Sequence, residues 1–177
     1  MAKQLVGKKK RSNKNNKRHY PWFEYNEVIQ RLMLNDDEMR EFDFQKWDKN
    51  WDFIFTPKYN KNVNKYALLS IDCEMVGTKR GSEIARVSLV DIDLNVIYDE
   101  YVLPTSRVID YRTKWSGITK KILDNCTLTF DDCIHDICGL IDKYTVLVGH
   151  HLTQDLRALK LVHYNIMDTQ VLYMGYN

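Results

Sequence analysis

The sequence has no apolar run near the roughly 18 residues that a membrane-crossing helix requires, which excludes a chain that spans a bilayer in that way. No apolar stretch follows the basic start, so a secretory signal is excluded as well. Cysteine is scarce. The four present (Cys73, Cys126, Cys133, Cys138) follow no disulfide-scaffold or paired C-x-x-C spacing, and a reducing compartment is expected. Cys133, His135 and Cys138 lack a fourth ligand at suitable spacing and read as ordinary helix residues, not a zinc site. There is no glycine-rich phosphate loop, no nucleophile triad and no internal repeat. Acidic residues are missing altogether from the first twenty positions, which hold eight of the 26 Lys and Arg. The net charge of +2 therefore conceals a basic arm on an acidic body.

What is present is enough for one domain. A chain of 177 residues, 44% hydrophobic and 12% aromatic, folds around a core and is not wholly disordered. Three segments are expected. Residues 1–20 form a disordered basic tail, with almost nothing to bury. Its Lys8-Lys9-Lys10-Arg11 and Lys17-Arg18 clusters fit a nuclear localisation signal or an RNA-tethering arm, against the plain alternative of a solubilising tail. Residues 21–65 form a helical, aromatic-rich extension. One helix is expected over Glu24 to Leu34, with Val28, Leu32 and Leu34 as apolar contacts. Asn35 ahead of Asp36, Asp37 and Glu38 then N-caps a second, running to about Lys46. Trp47, Trp51, Phe53 and Phe55 could stack bases, but packing onto the main domain is the favoured reading.

From Tyr66 the pattern turns strand-like. Strands are expected over Tyr66 to Asp72, Ile84 to Asp91 and Val96 to Leu103, the last two joined by a polar turn. Thr129 caps a helix with Phe130, Ile134, Ile137 and Ile141 on one face. Thr145 to Gly149 reads as a short buried strand, followed by a helix marked by Leu152, Leu156 and Leu159. Hairpin strands followed by alternating helices and strands make a mixed α/β sheet.

The chemistry lies in Ser70-Ile71-Asp72-Cys73-Glu74-Met75-Val76-Gly77. Alternation along a strand places Asp72 and Glu74 on one face and Cys73 on the other. Two carboxylates at a buried strand end repel each other unless a cation neutralises them, and hard oxygen donors suit Mg²⁺ or Mn²⁺. Asp155, from the neighbouring strand–helix junction, could complete a two-metal site.

This segment resembles the first motif of the DEDD-type 3′→5′ exonucleases, in the RNA exonuclease branch that includes the Rex proteins and the interferon-stimulated exonuclease. Ala85 to Val90, Asp110-Tyr111-Arg112-Thr113, Ser116-Gly117-Ile118-Thr119, Gly149-His150-His151-Leu152 with Asp155-Leu156, Leu159-Lys160 and Asp168-Thr169 agree in order and spacing, over roughly residues 66 to 173. The resemblance implies an RNase H-like mixed sheet flanked by helices, with residues 66–177 as the exonuclease domain. It also implies removal of nucleotides from RNA 3′ ends with two divalent ions. It assigns Asp72 and Glu74 to the first acidic motif and Asp155 to the second, as catalytic and metal-binding residues. Met75 would pack against the terminal nucleoside, Arg112 would contact ribose or phosphate, and Lys114, Lys120 and Lys121 would track the backbone. Asp168 reads as a structural cap.

The family's third motif, His-x-x-x-x-Asp, supplies the general base and a fourth carboxylate, and nothing after Asp155 matches it. His163 stands in the wrong place for that base, and His150 and His151 read as ordering the strand–helix turn. A C-terminally incomplete fold is therefore expected. Two readings stay open: an exoribonuclease acting in RNA processing, and a catalytically impaired relative that holds RNA or ribonucleoprotein without cutting. Both imply RNA, ribonucleoprotein or pre-ribosomal partners, a monomer, no membrane, and placement in the nucleus or nucleolus.

Overall fold

A computed structural model describes residues 27–44, 53–58 and 67–174. The basic tail, Trp47 and Trp51 lie outside the described residues. The first part of the chain contributes α1 (Glu27–Leu32), α2 (Asp36–Glu41) and β1 (Ile54–Phe55). Next come β2 (Leu68–Thr78), β3 (Gly81–Asp91), β4 (Val96–Tyr101), β5 (Val108–Asp110), α3 (Thr113–Ser116) and α4 (Lys120–Asp124). The remainder holds α5 (Phe130–Leu140), β6 (Val146–Gly149), α6 (Thr153–Ala158), β7 (Leu161–Val162), β8 (Ile166–Asp168) and α7 (Thr169–Tyr173).

The main sheet runs β4-β3-β2-β6-β8, with β5 paired to β2 beyond the reach of β6. Antiparallel hairpins build one half, and the parallel strands β2, β6 and β8 build the other. This is the mixed sheet that the sequence pattern implied, flanked by helices as the family resemblance implied. Leu69 and Ile71 of β2, Val87 and Leu89 of β3 and Leu147 of β6 share one buried cluster with Ile134 and Ile137 of α5, Leu156 of α6 and its flanking residues Leu152 and Leu159. Helix α5 begins as expected, with the Thr129 side chain accepting the Asp132 N–H.

The extension shares this core. Leu34, Met39 and Phe44 belong to the same buried cluster. The Leu34 N–H donates to Ile166 O at 2.8 Å, and β1 pairs in parallel with β7. The Thr153 hydroxyl donates to Phe42 O at 3.0 Å and Arg157 Nη2 to Asp43 O at 3.2 Å, so the extension braces α6 directly. Phe55 is an exception to packing, at 65% exposure.

Several sequence expectations need correction. Helix α2 has the expected capping box, but it stops at Glu41 and does not run to Lys46. Asp43 adopts a left-handed φ of 62°, which lets Asp43 N–H reach Arg40 O and Phe44 N–H reach Met39 O. That is a Schellman closure, with Asp where glycine is usual, and it turns Phe44 into the core against Met39. Val28 is 63% exposed and is no packing contact. Strand β2 outlasts its expected end at Asp72, because β3 and β5 pair with its second half after β6 has ended. The acidic pair therefore lies mid-strand, where the parallel pairing with β6 stops.

Candidate active site

Parallel strands ending side by side leave a crevice beyond their carboxyl ends. Leu68, Leu69 and Ser70 pair with Val146, Leu147 and Val148, so the chain leaving β6 turns beside Asp72. Gly149 makes that approach possible. A Cβ there would stand 2.8 Å from Leu152 Cδ1 and 3.2 Å from Ile71 O, the latter backbone that cannot swing away. Gly149→Ala is expected to destabilise the fold by about 1–3 kcal/mol through overpacking, read as a lower urea midpoint.

The next residues form the turn into α6. His151 takes a left-handed φ of 58°, and Leu152 stands at the N-cap without a side chain able to cap. Asp168, at the end of β8, supplies what Leu152 cannot. Its carboxylate accepts His151 N–H at 3.0 Å and Leu152 N–H at 2.8 Å, and also caps α7 through Gln170 N–H at 2.9 Å. The expected structural cap is thus a double one, clamping the turn that presents Asp155.

Asp155, in the first turn of α6, is 7% exposed and accepts the Cys73 N–H at 3.1 Å. That bond ties the second acidic motif to the first. Burial, then the charge of Asp72, raises the Asp155 carboxyl to about 6, and the Cys73 hydrogen bonds offset part of the rise. Burial and Asp72 likewise push Glu74 upward against the opposing pull of Arg86, its cross-strand partner. Burial, then the charges of Asp155 and Asp72, hold Cys73 well above the usual thiol range, so it remains a thiol at neutral pH.

A third wall comes from β5. Gly77 lies within β2 opposite Asp110. A Cβ on Gly77 would meet Asp110 Cβ at 3.2 Å and Arg112 Nε at 3.8 Å. Its small size therefore lets β5 close on β2 at Asp110, and Arg112 follows with a left-handed φ of 50° ahead of α3.

Together these elements line an open cleft of about 280 Å³. Asp72, Glu74, Met75, Arg112 and Asp155, scattered across the sequence, all face it. Strict alternation would send Met75 away from Glu74, but the β2–β3 register shifts between these two residues. Such a bulge re-aims side chains, and here both reach the cleft. Lys114, Lys120 and Lys121 do not line it, and Lys120 is held by Asp124 at 2.6 Å. Trp115, Ser116 and Gln154 do line it and were not anticipated. The segment Ser116-Gly117-Ile118-Thr119 was legible as part of the family resemblance, but not the direction its neighbours face.

His150 and His151 also line the cleft. His150 Nδ1 lies 3.0 Å from Thr169 Oγ1, in keeping with an ordering role at the turn. His163 lies apart, fully buried between Thr56 Oγ1 at 3.2 Å and Thr145 O at 2.7 Å. Burial lowers it to about 4, so it is neutral and structural.

Hard carboxylate oxygens gathered in one cleft, where the charge of Asp72 raises the proton affinity of both Glu74 and Asp155, have the chemistry of a divalent-cation site. They form a wall, not a closed cage: among the described residues, no three His, Cys, Asp or Glu side chains converge as a ready ligand set. The same holds for Cys133, His135 and Cys138, and all four cysteines are free.

Residues 69–172, which contain every wall of this cleft, match the model of the RNase_T exonuclease family. The chain belongs to that family. Human RNA exonuclease 5 is 38% identical over 148 residues, covering 82% of this chain and 19% of that protein. An exonuclease of Schizosaccharomyces pombe is 49% identical over 106 residues, covering 60% of this chain and 17% of its own length. The chain thus spans about a fifth of these curated relatives. Among solved structures, the Neurospora crassa Pan2 catalytic unit superposes with a TM-score of 0.57 at 24% identity, covering 80% of this chain and 26% of that one. The Saccharomyces cerevisiae Pan2 exonuclease module, in complex with AAGGAA RNA, gives 0.56 at 20% identity, covering 81% and 27%. These likenesses establish the RNase H-like fold. Exonucleases of this kind typically use divalent metals.

Proposed function

We propose that this exonuclease-family chain is a 3′→5′ exoribonuclease that depends on Mg²⁺ or Mn²⁺ and trims RNA 3′ ends in RNA processing. The observation that carries the reading is the meeting of Asp72, Glu74, Asp155, Met75 and Arg112 in one cleft. The names of its curated relatives support RNA as the substrate.

Asp72, Glu74 and Asp155 would hold the ions. When bound, divalent ions supply charge neutralisation at the scissile phosphate and make an attacking water more acidic. The chain's own residues do the rest. The Cys73 N–H holds Asp155 in place through its Oδ1. Arg112 donates to a phosphate or ribose oxygen, and Met75 supports the terminal nucleoside with a flexible apolar surface. The basic tail supports a nuclear site of action, with RNA or ribonucleoprotein partners.

The deciding experiment incubates the chain with 3′-labelled RNA and Mn²⁺, which should release labelled mononucleotides. Failure to release them, or release that survives Asp72→Ala, would overturn the reading. The binding-only alternative is favoured by one observation, the lack of three converging ligands among the described residues. It predicts salt-sensitive RNA binding that Asp72→Ala leaves intact and deletion of residues 1–20 abolishes, with no release.

A further inference from the structure

Trp115 lines the cleft yet leaves 77% of its surface in water. An indole this exposed adds little to a core, and the backbone beneath it is held in place by its own hydrogen bonds. Arg112 N–H donates to Asp110 Oδ1 at 2.9 Å, and Trp115 N–H to Arg112 O at 2.9 Å. The Ser116 hydroxyl donates to Tyr111 O at 2.9 Å and in turn accepts Ile118 N–H at 3.0 Å, while the Thr113 hydroxyl closes the turn on Ile118 O. Left-handed residues stand at both ends, Arg112 at φ 50° and Gly117 at φ 67°. A large aromatic on a fixed turn, at the rim of a cleft, is presented to a ligand at little cost in ordering.

The surroundings narrow the ligand. Lys114 Nζ stands 5.4 Å from the Trp115 ring centroid, and Arg112 shares the cleft. Cations beside an exposed indole suit a ligand that joins a flat π surface to phosphate, which is the repeating unit of a nucleic-acid strand. We propose that Trp115 is a stacking platform for an unpaired base of the bound strand, with Lys114 placed for the adjoining phosphate. This rests on the RNA reading above and deepens it. A base within a duplex is already stacked and hydrogen-bonded and must leave its partner before it can reach the indole. The cleft should therefore favour single-stranded ends.

The test is direct binding by fluorescence anisotropy, with the full chain in EDTA so that no strand is consumed. Three labelled probes are compared: a short oligoadenylate, the same strand in a blunt duplex with oligouridylate, and an abasic strand of equal length. Trp115→Ala should weaken oligoadenylate binding by roughly 5- to 100-fold, and Trp115→Phe should restore most of it. The abasic strand should be indifferent to either change, and the duplex should bind the wild type more weakly than the single strand. Trp115→Ala that binds oligoadenylate as the wild type does, or that loses as much on the abasic strand, overturns the proposal. An unchanged urea midpoint separates lost stacking from lost folding. Trp115-dependent binding without mononucleotide release in Mn²⁺ would leave this proposal standing and overturn only the exoribonuclease reading. Release that is intact in Trp115→Ala, with unchanged binding, would do the reverse.

Discussion

Asp155→Asn is expected to inactivate the chain and to stabilise it. On the activity side, the substitution removes an anionic oxygen donor from the cleft, and mononucleotide release should fall by at least about 100-fold. Substitutions of residues that merely support a metal ligand already cost 10- to 100-fold in comparable sites. On the stability side, the Asp155 carboxyl is held up at about 6, chiefly by burial and next by Asp72. A carboxyl whose folded value lies above its unfolded one binds more protons folded than unfolded. Ionising it therefore costs the native state stability as pH rises from about 4 through about 6, and the penalty is then constant at about 2–3 kcal/mol. Asparagine keeps an acceptor for the Cys73 N–H but carries no charge. In EDTA the variant should exceed the wild type by roughly that amount at pH 8, and the gap should close near pH 4. Mn²⁺ should raise the wild-type midpoint and leave the variant's nearly unmoved. Urea unfolding at the two pH values measures it, and equal midpoints at pH 8 would refute the electrostatic account.

Asp168→Ala should move stability the other way. The side chain is 1% exposed and accepts three backbone N–H groups, two from the turn into α6 and one from α7. Its loss leaves buried donors without partners and frees a turn whose His151 holds an unfavourable left-handed φ of 58°. The expected cost is about 3 kcal/mol, or roughly 6–12 °C in melting temperature. Activity should fall with it, because the released turn carries Asp155. Thr129→Ala is the useful contrast. It removes a cap from α5, away from the cleft, and should cost about 1 kcal/mol with kcat unchanged. If Asp168→Ala lowered stability while leaving kcat untouched, the turn would not be what orients Asp155.

The legible parts of this protein share a physical character. Asp72 and Glu74 were readable because their spacing within an apolar run is a local property, and strand periodicity assigns them a common face. The caps at Asn35 and Thr129 and the leucine and isoleucine stripes of α5 and α6 were readable for the same reason. Less so were β5, β7 and β8, of two or three residues each, which exist as strands only because a neighbour is there to pair with them. The end of α2 was misplaced because Asp43 fills a position where glycine is the usual signal. Met75 reaches the cleft through a shift in pairing between two strands, which neither strand encodes alone.

By itself, then, the sequence determined the class of sheet, the acidic motifs and the family resemblance, since all three rest on short-range spacing and ordered motifs. Only the tertiary structure decided how those motifs meet. Gly149 and Gly77 let three chain segments close on one cleft, Asp168 locks the turn between two of them, and burial beside Asp72 makes Asp155 reluctant to ionise. Trp115 is the clearest case. No local pattern in the sequence marks it, and only the fold brings it, largely exposed, to the rim of the cleft.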